Sequence, residues 1–243
     1  MSKGWVPDQH GAWVMVTVPL LLGVWLAGPQ LLHLPLAIAW YAGYFAFFDV
    51  SWWLRARGKR KRDYIPALAT YGSLCALAAI VVIVAQPRVL WWAAVFGPLI
   101  AIAVYEAYRR RPRSLASGIS TVLASAAMTS LASFVLGTPM TELTLRATAL
   151  LALYFVGTIF YVKSLIRERR NPKFSQLSAL VHAVFCACAF CLSPWAGLVF
   201  VALTVRAWLM PWLGRKRDKP WTPKFVGMTE MLSTALVVVT AVI

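Results

Sequence analysis

The chain has 243 residues, is 60% hydrophobic and has a mean hydropathy of +0.70, with only 13% charged residues against the ~25% of a typical soluble domain. The apolar residues come in runs of roughly 18–22, long enough to cross a hydrocarbon core of about 30 Å, so a large soluble domain is excluded. The net charge of +16 sits at the ends of these runs rather than on one face, which points to membrane topology and away from nucleic acid.

Taken in order, a short polar start, MSKGWVPDQHGAW, leads into a first span at about Ala12–Gly28. The run Gly11–Ala27 is long for a signal-peptide core and lacks a small-residue cleavage site, so it reads as a span. An aromatic-rich second span, about Leu31–Leu54, ends in the densest basic run, RARGKRKRDY at 55–64. Spans three and four are predicted at about Ile65–Ala85 and Val89–Tyr108, joined by Gln86-Pro87-Arg88, and the fourth ends in RRRPR at 109–113. The fifth, about Leu115–Leu136, is rich in Ser, Thr and Ala. Small residues let helix backbones approach closely, which predicts a central position in the bundle. A loop, Gly137–Arg146, precedes a sixth span at about Ala147–Ile166. Spans at about Leu177–Leu192, Trp195–Trp212 and Lys224–Ile243 complete the chain, with a basic loop, Gly214–Pro223, before the last.

This is an all-α, single-domain, multi-pass bundle of nine transmembrane helices. The N-terminus and the loops after helices 2, 4, 6 and 8 hold nearly all the Lys and Arg, whereas the alternate loops hold only Arg88 and Arg146. The positive-inside rule then predicts a cell-membrane protein with its N-terminus in the cytoplasm and its C-terminus outside.

Topology does not explain charges inside the spans: Asp49, Glu106, Lys163, Arg206 and Glu230, together with His182. A charge at the bilayer centre costs about 2.5–3.5 kcal/mol on insertion scales, so such groups pair or face a wet cavity. Asp49 with Lys163, and Arg206 with Glu230, are candidate ion pairs. Read as helix up to Asn171-Pro172, the stretch FYVKSLIRERRNPKF at 160–174 places Lys163, Arg167 and Arg170 at i, i+4 and i+7, on one face. Asp49 has Trp53 and Arg57 at i+4 and i+8. These cations outnumber the carboxylates available to them, and Arg matches phosphate oxygens bidentately. The predicted ligand site is a cytoplasm-facing cationic cavity between helices 2 and 6, drawing on His10, Asp49, Arg55, Arg57, Lys163, Arg167, Arg170, His182, Arg206 and Glu230.

No metal or cofactor is expected. His10, His33 and His182 are far apart, with no HxxxH or HxxE spacing, and Cys188 and Cys191 form a CxxC without a second pair. The chain also has no Gly-rich phosphate loop, HExxH or GxSxG.

The segments PDQHGAWVMVTVPLLLG at 7–23, DVSWWLRARGKRKRDYIPALATYG at 49–72 and YVKSLIRERRNPKFSQLSALVH at 161–182 resemble the YwiC-like family of bacterial membrane proteins. Nine spans with polar loops after helices 2 and 6 more distantly resemble the UbiA superfamily of intramembrane prenyltransferases. That resemblance implies a UbiA-like bundle, with aspartate-rich motifs at the ends of helices 2 and 6 that hold Mg²⁺ and a polyprenyl diphosphate. Here only Asp49 and Asp63 stand at the first position, and Lys163, Arg167 and Arg170 stand at the second. The implied site holds the anion directly, as a degenerate prenyltransferase or a carrier binding a polyprenyl phosphate or diphosphate. The alternatives are a small-anion transporter or an accessory membrane subunit without a site.

Overall fold

The computed structural model describes residues 5–7, 10–137, 139–217 and 221–243, apart from the side chain of His10. Among the described residues nine α-helices follow one another: α1 His10–Ala27, α2 His33–Arg55, α3 Ile65–Ala85, α4 Ala93–Tyr108, α5 Leu115–Phe134, α6 Glu142–Ile166, α7 Pro172–Leu192, α8 Pro194–Lys216 and α9 Pro223–Val242. Eight helical stretches are long and apolar enough to cross a membrane, and Gly11–Ala27 is a shorter apolar helix. This is the all-helical, multi-pass architecture expected. The chain divides into two compact units, residues 1–144 and 145–243.

Several boundaries differ from the expected ones. The basic run after α2 is not an open loop: Gly58–Tyr64 forms a 3₁₀ segment leading into α3, and Pro87–Trp92 forms another before α4. α6 begins at Glu142, inside the expected loop, because the Thr141 hydroxyl accepts from the Thr144 amide and satisfies a free N–H of the first turn. α7 begins at Pro172 rather than Leu177. Proline has no N–H to lose at the first helical position, and the Asn171 side chain caps the Phe174 amide.

In the first unit α5 lies between α1 and α4, and α2 packs on α3 and α4. Just over half of the apolar stretch of α5 is buried, more than in any other span, as its small residues predict. Gly23 shows why: a Cβ there would lie 2.3 Å from the Thr129 carbonyl oxygen, so α1 reaches α5 at a distance only glycine permits. The core at this crossing is Leu20, Leu36, Val82, Met128, Ala132 and Val135. Neutral hydrogen bonds pin the same helices. Trp40 Nε1 donates to the Val16 carbonyl (2.8 Å), the Tyr41 hydroxyl donates to Thr17 Oγ1 (3.0 Å), and the Ser125 hydroxyl donates to the Met15 carbonyl. His33 Nδ1 accepts from the Gln30 amide (3.0 Å), which leaves Nε2 to donate to the Ala132 carbonyl (2.9 Å).

In the second unit α8 packs on α7 and α9. Tyr161 and Leu165 of α6 form a core with Ala207 of α8 and Val226 of α9. Gly157 brings α6 against α7, since a Cβ there would lie 3.1 Å from His182 Nε2.

Candidate functional site

The second unit joins a group of polar side chains from α6, α8 and α9. Glu230 and Arg206, the expected pair, form an ion pair with Oε1 and Nη2 2.7 Å apart, each side chain 15% exposed. The contact is off the N–H direction, so Glu230 Oε1 and Arg206 Nη2 and Nε have no aligned hydrogen bond among the described residues. Each charge has its own neutral partners instead. Arg206 Nη1 donates to Ser233 Oγ (2.7 Å) and to the Thr229 carbonyl (3.4 Å), and its guanidinium carbon lies 4.1 Å above the Tyr161 ring. Glu230 Oε2 accepts from the Thr158 hydroxyl (2.6 Å) and the Tyr154 hydroxyl (2.9 Å). Thr234 Oγ1 donates to the Glu230 carbonyl (2.8 Å) and lies 3.0 Å from the Tyr154 hydroxyl.

His182 is buried beside this cluster. Its Nδ1 lies 2.8 Å from the Ser178 carbonyl and donates to it, since a carbonyl can only accept. The ring meets Tyr161 edge to face at 6.4 Å. The Tyr161 hydroxyl is buried without a hydrogen-bond partner among the described residues.

The expected cationic face of α6 is only partly formed. The helix ends at Ile166, where the amides of Arg167 and Glu168 both bond the Lys163 carbonyl, so Arg167 and Arg170 lie in the turn beyond it and are exposed. Glu168 helps to make that turn, by accepting from the Asn171 amide on its carbonyl (2.8 Å) and from Asn171 Nδ2 on its carboxylate (3.1 Å). Lys163 is half-buried with its ammonium 5.5 Å from the Phe174 ring centre, and it has no carboxylate within ion-pairing distance among the described residues.

Other cations meet at this end of the unit. Arg215 Nη1 donates to Ser175 Oγ in the first turn of α7 (3.2 Å), and Arg169 shares a shallow recess with Ser164, Gly214 and Trp221. Arg217 stacks on Trp221 at 4.2 Å. A helix N-terminus carries partial positive charge, so the start of α7 adds to the field of these cations.

The first unit holds the remaining candidates apart. Asp49 is fully buried, and neither carboxylate oxygen has a partner among the described residues. Asp49 faces inward, as the pattern required, and among the described residues of the first unit no basic group lies within ion-pairing distance of it. Arg57 does not continue its face, because α2 ends at Arg55 and Arg57 is extended and exposed. Arg55 turns back on its own helix, donating to the Ser51 carbonyl (2.6 Å) and stacking on Trp52 at 4.2 Å. Glu106 pairs with Arg111 at 2.9 Å, closing the end of α4. His10 opens α1, but its side chain lies outside the described residues.

The hydroxyl shell of Glu230 was not among the sequence candidates. Tyr154, Thr158 and Tyr161 stand at i, i+4 and i+7 on α6, the spacing of one helical face, and that was the available signal. Arg169 and Arg215 were hidden inside basic runs that topology already accounted for.

No solved structure matches this chain. Among curated proteins it is 32% identical to the uncharacterized protein YwiC of Bacillus subtilis (strain 168) over 238 residues, 95% of this chain and 94% of that one. It is 28% identical to an uncharacterized protein of Haemophilus influenzae over 236 residues, with the same coverage of both chains. The family model for YwiC-like proteins matches residues 6–133, from the start of α1 to the end of α5. The match therefore takes in the central small-residue helix and its close approach at Gly23, while the similarity to the Bacillus protein runs on through the charged second unit, and the chain belongs to the YwiC-like family.

Proposed function

We propose that this multi-pass helical protein binds a phosphorylated lipid of isoprenoid type at the cationic end of its second unit. The supporting observation is that Lys163 and Arg215 both reach the first turn of α7, with Arg169 lining a recess beside Gly214. Arginine presents a planar fork that fits phosphate oxygens, and lysine adds a point charge. Phe174, Trp221 and Trp212 stack with cations here, and amphipathic rings suit the depth at which a lipid head group meets its tail. The head group enters from the cytoplasmic leaflet, with the basic helix ends inside the cell and the N-terminus cytoplasmic. In this reading the protein is a carrier or a degenerate prenyltransferase.

The test is thermal stabilisation of the purified protein by farnesyl phosphate and farnesyl diphosphate, with farnesol as the uncharged control. The native protein is stabilised by both phosphorylated lipids and not by farnesol, and Lys163→Gln and Arg215→Gln lose the effect while keeping their own folding transition. Equal shifts in native and variant proteins, or none in the native protein, remove the assignment. Orientation is checked separately: Lys173→Cys stays unreactive to an impermeant thiol reagent in intact cells, and labelling there would invert the topology.

A further inference from the structure

The basic run between α2 and α3 is more ordered than membrane topology requires. The positive-inside rule asks for basic residues on one side of the bilayer and for no fixed arrangement of them. Here Gly58–Tyr64, GKRKRDY, is a 3₁₀ segment of 7 residues. Such segments seldom exceed about four residues. With about three residues per turn, side chains at i and i+3 eclipse, so Lys59 and Arg62 share one edge. Like charges at neighbouring positions of a helix repel. No carboxylate lies within ion-pairing distance of either among the described residues. Asp63, the one acid of the segment, stands at i+3 from Arg60 and on a different edge.

A second pair of cations meets next to this segment. Arg113, in the turn between α4 and α5, is exposed and stands within electrostatic range of Arg55. Arg55 bonds the protein through Nε alone, to the Ser51 carbonyl at 2.6 Å, so its two terminal nitrogens make no hydrogen bond among the described residues. Aromatic rings set the level of these charges. Arg55 lies 4.2 Å from the Trp52 ring, Lys61 lies 4.4 Å from that of Trp53, and Tyr64 stacks on Trp52 at 6.4 Å. His33–Arg55 and Gly58–Ala85 are each long and apolar enough to cross a membrane, so the run lies where two spans meet the membrane surface. Tryptophan and tyrosine favour that depth, at the level of the head groups.

We propose that the run from Arg55 to Tyr64, with Arg113, is a docking surface for anionic phospholipid head groups of the surrounding bilayer, one phosphate bridging Lys59 and Arg62 and another bridging Arg55 and Arg113. Each phosphate replaces a repulsion between two cations by two attractions. Arginine meets phosphate oxygens with paired N–H donors, and lysine adds a compact charge. The tails need no pocket, because they stay in the bilayer. A phospholipid is the ligand class because the surface faces the layer in which phospholipid phosphates are concentrated. The surface belongs to the first unit, shares no residue with the site proposed in the second, and stands without it.

The experiment titrates the purified full-length protein in detergent with dioleoyl phosphatidylglycerol and reads the melting temperature. Dioleoyl phosphatidylcholine, with the same tails and a zwitterionic head group, is the control. Phosphatidylglycerol raises the melting temperature of the native protein more than phosphatidylcholine does, and the difference shrinks as sodium chloride is added. In the double variant Lys59→Gln, Arg62→Gln the half-saturating concentration of phosphatidylglycerol increases about tenfold or more, since each basic residue at an anionic surface adds to the attraction. Arg113→Gln reads the second bridge separately, with an increase of about fivefold. The double variant Lys173→Gln, Lys224→Gln, which removes two exposed cations of the second unit, titrates as the native protein does. Equal stabilisation of the native protein by the two lipids overturns the proposal. An equal loss in both double variants also overturns it, by making net charge and not this surface the cause. If Lys59→Gln, Arg62→Gln does not fold, Arg113→Gln decides, and an unchanged titration there overturns the proposal.

Discussion

Asp49 of the first unit and Glu230 of the second both lie well inside apolar helices, and the two acids are treated in opposite ways. Glu230, in the second unit, has a guanidinium at 2.7 Å and two hydroxyls on its other oxygen. Asp49, in the first, is 0% exposed and has no partner for either oxygen among the described residues. The helices around them differ in kind. α6 and α9 turn hydroxyl-bearing residues toward Glu230, whereas the first unit is joined by close backbone approach at Gly23 and by neutral bonds from Trp40, Tyr41 and His33. A charged residue in a span is thus a weak guide until its facing helices are known. Facing helices that supply donors hold the charge in place, as α6 does for Glu230.

The contrast can be broken most severely at Arg206. Arg206→Ala removes the partner of a buried carboxylate and is expected to cost about 3–5 kcal/mol, read as a large fall in melting temperature in detergent. A change within error would make the pair a surface-like contact and dissolve the contrast. A middle-sized effect is expected at Gly23→Ala. The new Cβ would sit 2.3 Å from a backbone oxygen that cannot swing away, so α1 must move off α5 at about 1–3 kcal/mol. Denaturation of this variant tests whether the first unit depends on close packing, and an unaltered midpoint would say it does not. The smallest effect belongs to the cation–aromatic stacks at the helix ends. Trp52→Leu removes the Arg55 stack at 4.2 Å and is expected to cost at most about 1 kcal/mol, because both groups reach solvent. A loss as large as that of Arg206→Ala would mean these stacks, and not the buried pair, hold the protein together.

Much of the fold was legible in the chain. The alternation of basic and neutral loops marks the helix count, because each span must return the chain to one side or the other. The Ser, Thr and Ala content of 115–136 marks the central helix. Boundaries were less legible where one residue type serves two purposes. Pro172 carries the signal of a helix stop and is the first residue of α7, and the polar stretch before Ala147 has the composition of a loop although Thr141 caps a helix there. For the site, Arg206 and Glu230 were legible as opposite charges in consecutive spans. The three-cation face was not correct, because Arg167 and Arg170 fall past the last turn of α6. That Asp49 has no hydrogen-bond partner among the described residues could not be read at all. It depends on what faces α2, and counting charges along one chain does not supply that.

The most direct test of the difference between the two acids is to neutralise each without changing its shape and compare melting temperatures in one detergent. Glu230→Gln leaves the Arg206 charge unpaired, so its melting temperature falls. Asp49→Asn removes an ionisable group with no partner among the described residues, so its melting temperature holds or rises, by the equivalent of about 1–3 kcal/mol. A fall in both, or a larger fall for Asp49→Asn than for Glu230→Gln, would contradict the assignment of one acid to a working pair and the other to a solitary buried position.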